Sequence, residues 1–251
     1  MDALVRLLRQ EQIGELPDVL APAAVWRPRD ELDAAQAQAY DEAARLGWLD
    51  RRGRLDVDVA ASLSVVCRAA VECSGWIAAD GVGKLGVLAA ATGREAILAV
   101  RNGNEVRLRR AQPRKLAEAL VAQIPELHPG SGTPVSVPVE ELRAAVAWQE
   151  PKPGAVSVRP VPRADLRQVL KIIALPTSGS GELWVAVRDD LGRRREIPHP
   201  LRYADTEWGR FLNHASATDS GELWMTVAPA PPTELVARLR KLEHSLARFA
   251  H

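Results

Sequence analysis

The chain has little of what metal, redox or hydrolytic chemistry is usually built from. Cysteine is nearly missing: Cys67 and Cys73 are the only two in 251 residues. They lack C-x-x-C spacing and have no further thiols to join, so a disulfide framework or a zinc knuckle is excluded and each reads as a buried free thiol. The five histidines, His128, His199, His214, His244 and His251, contain no pair three or four positions apart, so no two fall on one turn of a helix as metal ligands do. Aromatic residues make up 4%, too few to interleave with the basic runs as a stacking platform for single-stranded nucleic acid. Charge of one sign is missing as well. The formal net charge is +1, which leaves no overall field to draw in nucleic acid or an acidic membrane. No run approaches the ~18 apolar residues of a membrane span. The first residues, MDALVRLLRQEQIGEL, carry charge throughout and lack the apolar centre of a signal peptide, which predicts a cytoplasmic protein.

What is present describes an ordinary globular chain, 47% hydrophobic and 26% charged, long enough to bury a substantial core. Its cations are 28 arginines against 5 lysines, which with abundant Ala, Gly and Pro reflects GC-rich codon usage. Two motifs invite a chemical reading and fail it. Gly81, Gly83 and Gly86 match G-x-G-x-x-G, but only Val87–Thr92 precede the next turn at Gly93, too short for the helical crossover of a dinucleotide fold. Lys84 is followed by Leu85 rather than Ser or Thr, so the stretch is no phosphate loop. Hairpin glycines are the expectation. Ser180 in TSGSGEL lacks the nucleophile elbow of hydrolases. The basic runs, Arg107, Arg109, Arg110, Arg114 with Lys115, and Arg193–Arg195, read as a solvated sheet face, with an acidic protein partner as the functional alternative.

Periodicity predicts helices over 2–11, 30–46 (stopped by Gly47), from Asp56 or Asp58 to about Ala70, from Pro113 to Leu127, over 139–148, 164–173 and from Pro231 to the end. Short alternating runs predict strands at 75–79, 86–91, 96–101, 105–109, 182–188, 193–197 and 222–227, with Asn102-Gly103 as the strongest hairpin signal. Residues 128–138 and 150–162 are rich in Pro and Gly and read as loops. Each half therefore runs from helices through antiparallel strands to a Pro-initiated amphipathic helix. This predicts an α+β fold: one domain of two pseudo-repeated halves, about 1–150 and 163–251, joined by a Pro-rich connector at 151–162.

The most informative feature is an echo. SGELWVAV (180–187) and SGELWMTV (220–227) repeat one strand pattern forty residues apart, each with a Ser-Gly turn ahead of a Trp, as adjacent strands of a sheet would be written. Trp184 and Trp224 hold equivalent places in the two copies, either as core or as aromatic anchors for a protein partner. The stripe Leu235, Leu239, Leu242, Leu246 and Phe249 is similarly open to an internal bundle or a partner helix. Between the copies, Asp205 and Thr206 suit a turn or short helix start and Gly209 a backbone angle that a Cβ forbids.

YADTEWGRFL followed by GELWMTVAPAPPTELVARLRKLE resembles the C-terminal signature of the EspG family, the ESX (type VII) secretion-associated chaperones. GELPDVLAP, ARLGWLDRRGRLDVDVAASLSVVCRAA, LVAQIPEL and VSVPVEEL extend the resemblance over most of the chain. Its signature residues here are Asp205, Thr206, Gly209, Arg210 and Phe211, with Phe211 where tyrosine is common. The resemblance implies an EspG-like fold with quasi-twofold symmetry, a central antiparallel sheet and flanking helical bundles. It further implies a cytosolic, non-enzymatic chaperone without cofactors, monomeric or homodimeric. Such a chaperone shields a helical secreted substrate, a PE–PPE-like or WXG-type protein, before the secretion ATPase and membrane machinery take it. On this reading Trp184, Trp224, Met225, Leu235, Leu239 and Leu242 lie in or beside the substrate surface, while Asp205–Arg210 fixes the sheet's turn. The competing expectation is a small-ligand protein or enzyme with a pocket between the halves.

Overall fold

The computed structural model describes residues 2–22, 30–147 and 163–248. Three helices come first: α1 (Asp2–Gln10), α2 (Asp30–Arg45) and α3 (Val57–Arg68). Asp56 caps α3, its carboxylate accepting the backbone N–H groups of Asp58 and Val59, which satisfies donors that the first helical turn leaves free. Four strands follow, β1 (Val71–Ala79), β2 (Gly83–Thr92), β3 (Glu95–Asn102) and β4 (Glu105–Arg110), and then a 3₁₀ turn at Pro113–Lys115 leads into α4 (Leu116–Val121). Next come β5 (Val135–Pro138), α5 (Val139–Ala147) and α6 (Ala164–Ile173). The chain closes with β6 (Thr177–Arg188), β7 (Arg194–Glu196), β8 (Leu201–Thr206), β9 (Gly209–Ala217), β10 (Leu223–Pro229) and α7 (Pro232–Ala247).

The strands form one antiparallel sheet in the order β4-β3-β2-β1-β6-β8-β9-β10-β5, with β7 paired to β6. Read outward from the β1–β6 junction, four strands lie on either side before β5, so the sheet has a quasi-twofold axis at its centre. The register fixes where that axis passes. Gly75 faces Leu183, with Ser74 opposite Trp184 on one side of it and Trp76 opposite Glu182 on the other. The axis thus relates Trp76 to Trp184, and both alternate away from the Ile77 and Val185 face.

Helices cover the sheet unequally. On one face Ile77, Val87, Leu98, Leu183, Val185 and Leu212 pack against Leu116 and Leu120 of α4 and Leu235 and Leu239 of α7. On the other face α3 and the segment around Val19 and Leu20 cover the first half, while α5 and α6 cover the second around Phe211 and Val227. A bundle of α1, α2 and α3 stands beside the first half.

The G-x-G-x-x-G stretch is a hairpin: Gly81 and Gly83 take positive φ in the turn, and β1 and β2 run antiparallel through it. Several expectations are corrected. The echoed strands are β6 and β10, which are not adjacent, because β8 and β9 intervene. Ser180-Gly181 is no turn but lies inside β6. A Cβ on Gly181 would stand 2.1 Å from the Tyr203 ring, so close packing rather than a turn demands this glycine. Ser220-Gly221 does turn, with φ +83 at Gly221. Residues 135–138, read as loop, pair with β10 as an edge strand ending in proline. The β3–β4 hairpin turns one residue later than the Asn102-Gly103 signal, since Asn102 and Glu105 already pair. Gly103, at φ +56, takes the first central position. Trp148, Phe249 and the 151–162 connector lie outside the described residues.

Candidate functional site

Two constellations stand out, one holding the fold and one presenting a surface. The first is built on the β8–β9 hairpin. Where a turn or helix start was expected, strands run up to Glu207 and Trp208 from either side. Thr206 Oγ1 donates to the Gly209 carbonyl at 2.8 Å and accepts the Trp208 N–H at 3.2 Å. Gly209 sits at φ +97, and a Cβ there would lie 2.7 Å from the backbone oxygens of His128 and Pro129. Arg210 is 1% exposed. Its guanidinium donates two bonds to Asp205, Nε to Oδ1 at 2.6 Å and Nη2 to Oδ2 at 2.9 Å. Nη2 also donates to the Pro125 carbonyl at 2.8 Å, and the Tyr203 ring lies 4.8 Å away. The Arg210 backbone continues the clamp, its N–H donating to His128 and its carbonyl accepting from Gly130 and Ala230. The Phe211 ring fills the space where Gly130 lacks a side chain. Asp205, Thr206, Gly209, Arg210 and Phe211 thus tie the 125–130 loop to the sheet and present no reactive group outward.

The second constellation is a groove of about 830 Å³ over the sheet centre, lined by β1, β6, β7 and the 14–19 segment. Its floor holds the axis-related indoles, Trp76 and Trp184, both half-buried. Lys84 stacks on Trp76, its ammonium 4.1 Å from the ring centre. Of the five carboxylates that line the groove, Glu72, Glu182 and Glu196 are paired with arginines. Glu72, 5% exposed, takes a hydrogen bond from Arg194, which also donates to Glu196 at 2.7 Å. Arg202 Nε donates to Glu182 at 2.7 Å. Burial works against the Arg194 charge, but the Glu196 and Glu72 carboxylates outweigh it and raise its pKa. Glu72, Glu182 and Glu196 are thereby committed to guanidinium groups, whereas Glu15 and Asp18 of the 14–19 segment line the groove without such a pair among the described residues. The groove thus has two half-buried indoles on its floor and charged side chains around them.

The sequence-predicted contact residues scatter. Trp184 lies in the groove. Trp224 lies on β10, where strand alternation puts it on the α7 side, opposite to the groove face. Its Nε1 donates to Glu222 at 3.1 Å. Met225 packs among the α5–α6 residues. Leu235 and Leu239 are fully buried in the chain's own core under α7, and Leu242 is partly buried against it. Burial takes the first two off the surface, because the helix turns the apolar stripe inward onto the sheet. Trp76 and Glu72 were not singled out in sequence, and Arg194 only as part of the basic run Arg193–Arg195. The available signal was Ser74-Gly75-Trp76, a shorter third instance of a Ser-Gly pair ahead of a tryptophan.

Beneath α7, His214 on β9 has its Nδ1 buried without a hydrogen-bond partner. Burial first, and then the positive charge of Arg238, push its pKa below the usual value, with His199 and Lys241 adding to this and the Pro200 carbonyl opposing it. A depressed histidine binds protons more readily unfolded than folded, so its contribution is intact above about pH 6.5 and is lost as pH falls. Glu243 on α7 is shifted upward by burial, a change of opposite sign. The readout is therefore a comparison: between pH 7.5 and 5.5, His214→Gln is expected to lose less melting temperature than the parent. Parallel curves would rule out His214 as a contributor.

Cys67 and Cys73 are both free and buried. Burial pushes the Cys67 thiol up to about 11 and raises Cys73 further, so both stay protonated and inert at neutral pH. Among the described residues no group of three or more His, Cys, Asp or Glu is placed to hold a metal ion, and no helix is long and apolar enough to cross a membrane.

No curated protein matches the chain by sequence. Among solved structures, the chain is similar to the Mycobacterium tuberculosis type VII secretion system chaperone EspG5, determined in complex with a PE25–PPE41 dimer. The likeness has a TM-score of 0.66 at 17% identity and covers 96% of this chain and 93% of that one. At that identity it shows the shared fold. The family model described as the EspG family matches residues 1–241. The chain belongs to the EspG family.

Proposed function

We propose that this protein is a substrate-specific chaperone of a type VII secretion system. It works in the cytoplasm by binding, without turnover, and needs no cofactor. Its substrate is a helical secreted protein, PE–PPE-like or WXG-type, which it keeps soluble until the secretion ATPase takes it over. The observation that carries this reading is the groove with Trp76 and Trp184 at the quasi-twofold axis, in a chain of the EspG family. A helical hairpin with an apolar tip self-associates in water, and covering that tip prevents it. Residues 1–150 and 163–251 act here as two related halves of one platform, monomeric or homodimeric, and the groove forms where their central strands meet. A contact of about 1,200–2,000 Å² is the usual size for such a complex, with a few aromatic anchors supplying most of the affinity. The two indoles on the groove floor, with Glu72, Glu182 and Glu196 tied to arginines, favour an anchor surface over an enzyme pocket.

The test is co-expression with helical PE–PPE-like or WXG-type proteins encoded beside the gene. The expected result is a soluble complex that neither partner forms alone. Trp184→Ala is expected to weaken it about 30-fold, the loss of one aromatic anchor of about 2 kcal/mol, in a variant that still unfolds cooperatively. A neighbour that stays insoluble or purifies alone removes the chaperone reading. Undiminished affinity in Trp184→Ala removes the groove from it.

A further inference from the structure

The sheet ends at β4, and that edge is built differently from the other. At the far end β5 is four residues long and closes with Pro138, which protects it. β4 runs for six residues, Glu105–Arg110, and among the described residues only β3 pairs with it. The Ala111 N–H donates to Ala96, and Leu98 faces Arg109 and Val100 faces Arg107. In an antiparallel ladder bonded pairs recur every second residue. The odd-numbered residues therefore face β3, and the backbone N–H and C=O groups of Val106, Leu108 and Arg110 point away from the sheet.

Side chains on the two sides of this edge differ in kind. On one side Val106 and Leu108 line a groove of about 700 Å³ with Leu4, Leu46, Trp48 and Val59. Of these Leu46 is 56% exposed, and Val57, next to the lining residue Asp58, is 80% exposed. Glu42, Asp58 and Arg110 also line this groove, so its rim carries both signs of charge and its apolar wall is what Val106 and Leu108 supply. On the other side Arg107 and Arg109 are exposed, toward α4, where Arg109 reaches Gln123 at 3.4 Å. From 105 to 115 there are five cations and a single carboxylate, Glu105, which lies 3.8 Å from Arg107.

We propose that β4 is a docking edge for an extended, acidic segment of a protein partner, which adds to the sheet as a further strand. Its residues alternate. Apolar side chains enter the groove beside Val106 and Leu108, and Asp or Glu side chains meet Arg107 and Arg109 on the opposite face. Backbone bonds to Val106, Leu108 and Arg110 supply the attachment, and the alternation supplies specificity. A second copy of this chain fits less well, because the antiparallel registers that pair the free groups of both edges set Arg107 against Arg109 twice or against Arg107 itself, and like charges directly opposite destabilise a pair. The arginines thus both block self-pairing and select the partner. This surface is separate from the Trp76–Trp184 groove and does not depend on its function.

Two seven-residue peptides with blocked ends, Glu and Val alternating in one and Lys and Val in the other, test the idea on the full chain. Fluorescence anisotropy is expected to show saturable binding of the acidic peptide and at least tenfold weaker binding of the basic one. Amide exchange at Val106, Leu108 and Arg110 is expected to slow at least tenfold with the acidic peptide. The pair Arg107→Glu with Arg109→Glu is expected to reverse the preference. An acidic peptide N-methylated at alternate residues keeps its charge but loses its donors, and it is expected to bind at least tenfold more weakly. Retained binding of that peptide, or equal binding of the acidic and basic peptides, overturns the proposal. So does protection located anywhere but β4. Trp184→Ala is expected to leave all these readings unchanged, so failure here and failure of the substrate groove are told apart.

Discussion

Arg210→Ala is expected to lower stability by about 3–5 kcal/mol, the cost of leaving one partner of a buried ion pair uncompensated. With Arg210 gone, the Asp205 carboxylate remains 5% exposed and loses both of its guanidinium bonds, while the Pro125 carbonyl loses its donor. For a chain of this size the change corresponds to a fall of about 6–20 °C in melting temperature, and it consumes a large part of the usual ~5–15 kcal/mol. Replacing the pair together, Asp205→Asn with Arg210→Met, is expected to recover more than half of the loss, because no buried charge is then stranded. Denaturant midpoints of the single and double variants decide the matter. A single variant within about 1 kcal/mol of the parent would mean that the backbone bonds of residue 210 hold the 125–130 loop unaided.

Gly86 carries the second large effect. It lies in β2 under the chain segment that crosses the sheet, and a Cβ there would stand 1.8 Å from the Val19 carbonyl oxygen and 3.2 Å from the Trp76 ring. The nearer obstacle is backbone, which cannot rotate aside as a side chain does. Gly86→Leu is therefore expected to lift the 14–20 segment from the sheet at a cost of about 1–3 kcal/mol or more. Because this segment also walls the groove, the variant is expected to bind a helical substrate less tightly even though both indoles remain. Limited proteolysis near residues 14–20, followed against the parent, is the direct readout. Equal cleavage rates with an unchanged melting curve would show that the segment accommodates the side chain.

Much of the fold was legible because local rules act within a few residues. Asp56 ahead of Val57–Arg68 marks its helix by capping chemistry, and Pro113 and Pro232 open helices whose first turn tolerates a missing N–H. The hairpin reading of Gly81 and Gly83 needed nothing beyond the distance to the next turn. What escaped is set by distant partners. VSVP at 135–138 is too short and too close to prolines to read as a strand until β10 is beside it. Ser180-Gly181 looks like a turn because the demand for glycine comes from Tyr203, which no local pattern announces. Trp184 and Trp224 look equivalent in the text of the chain, yet strand alternation sends them to opposite faces, since each face is chosen by its own strand's neighbours. The signature from Asp205 to Phe211 was recognisable as a resemblance, while its bond to Pro125 lies 85 positions away and appears only in three dimensions.

The central junction of the sheet also constrains how the chain acquires its shape. Nearly every other ladder joins strands linked by a short turn, whereas β1 and β6 are about a hundred positions apart, and closing so long a loop costs entropy before any contact rewards it. Helices α4 and α7 pack together across that same junction, so their docking and the closure of the sheet form a single cooperative event. Joining of the two hairpin stacks is consequently the step expected to limit folding, with the groove at the axis expected to form last.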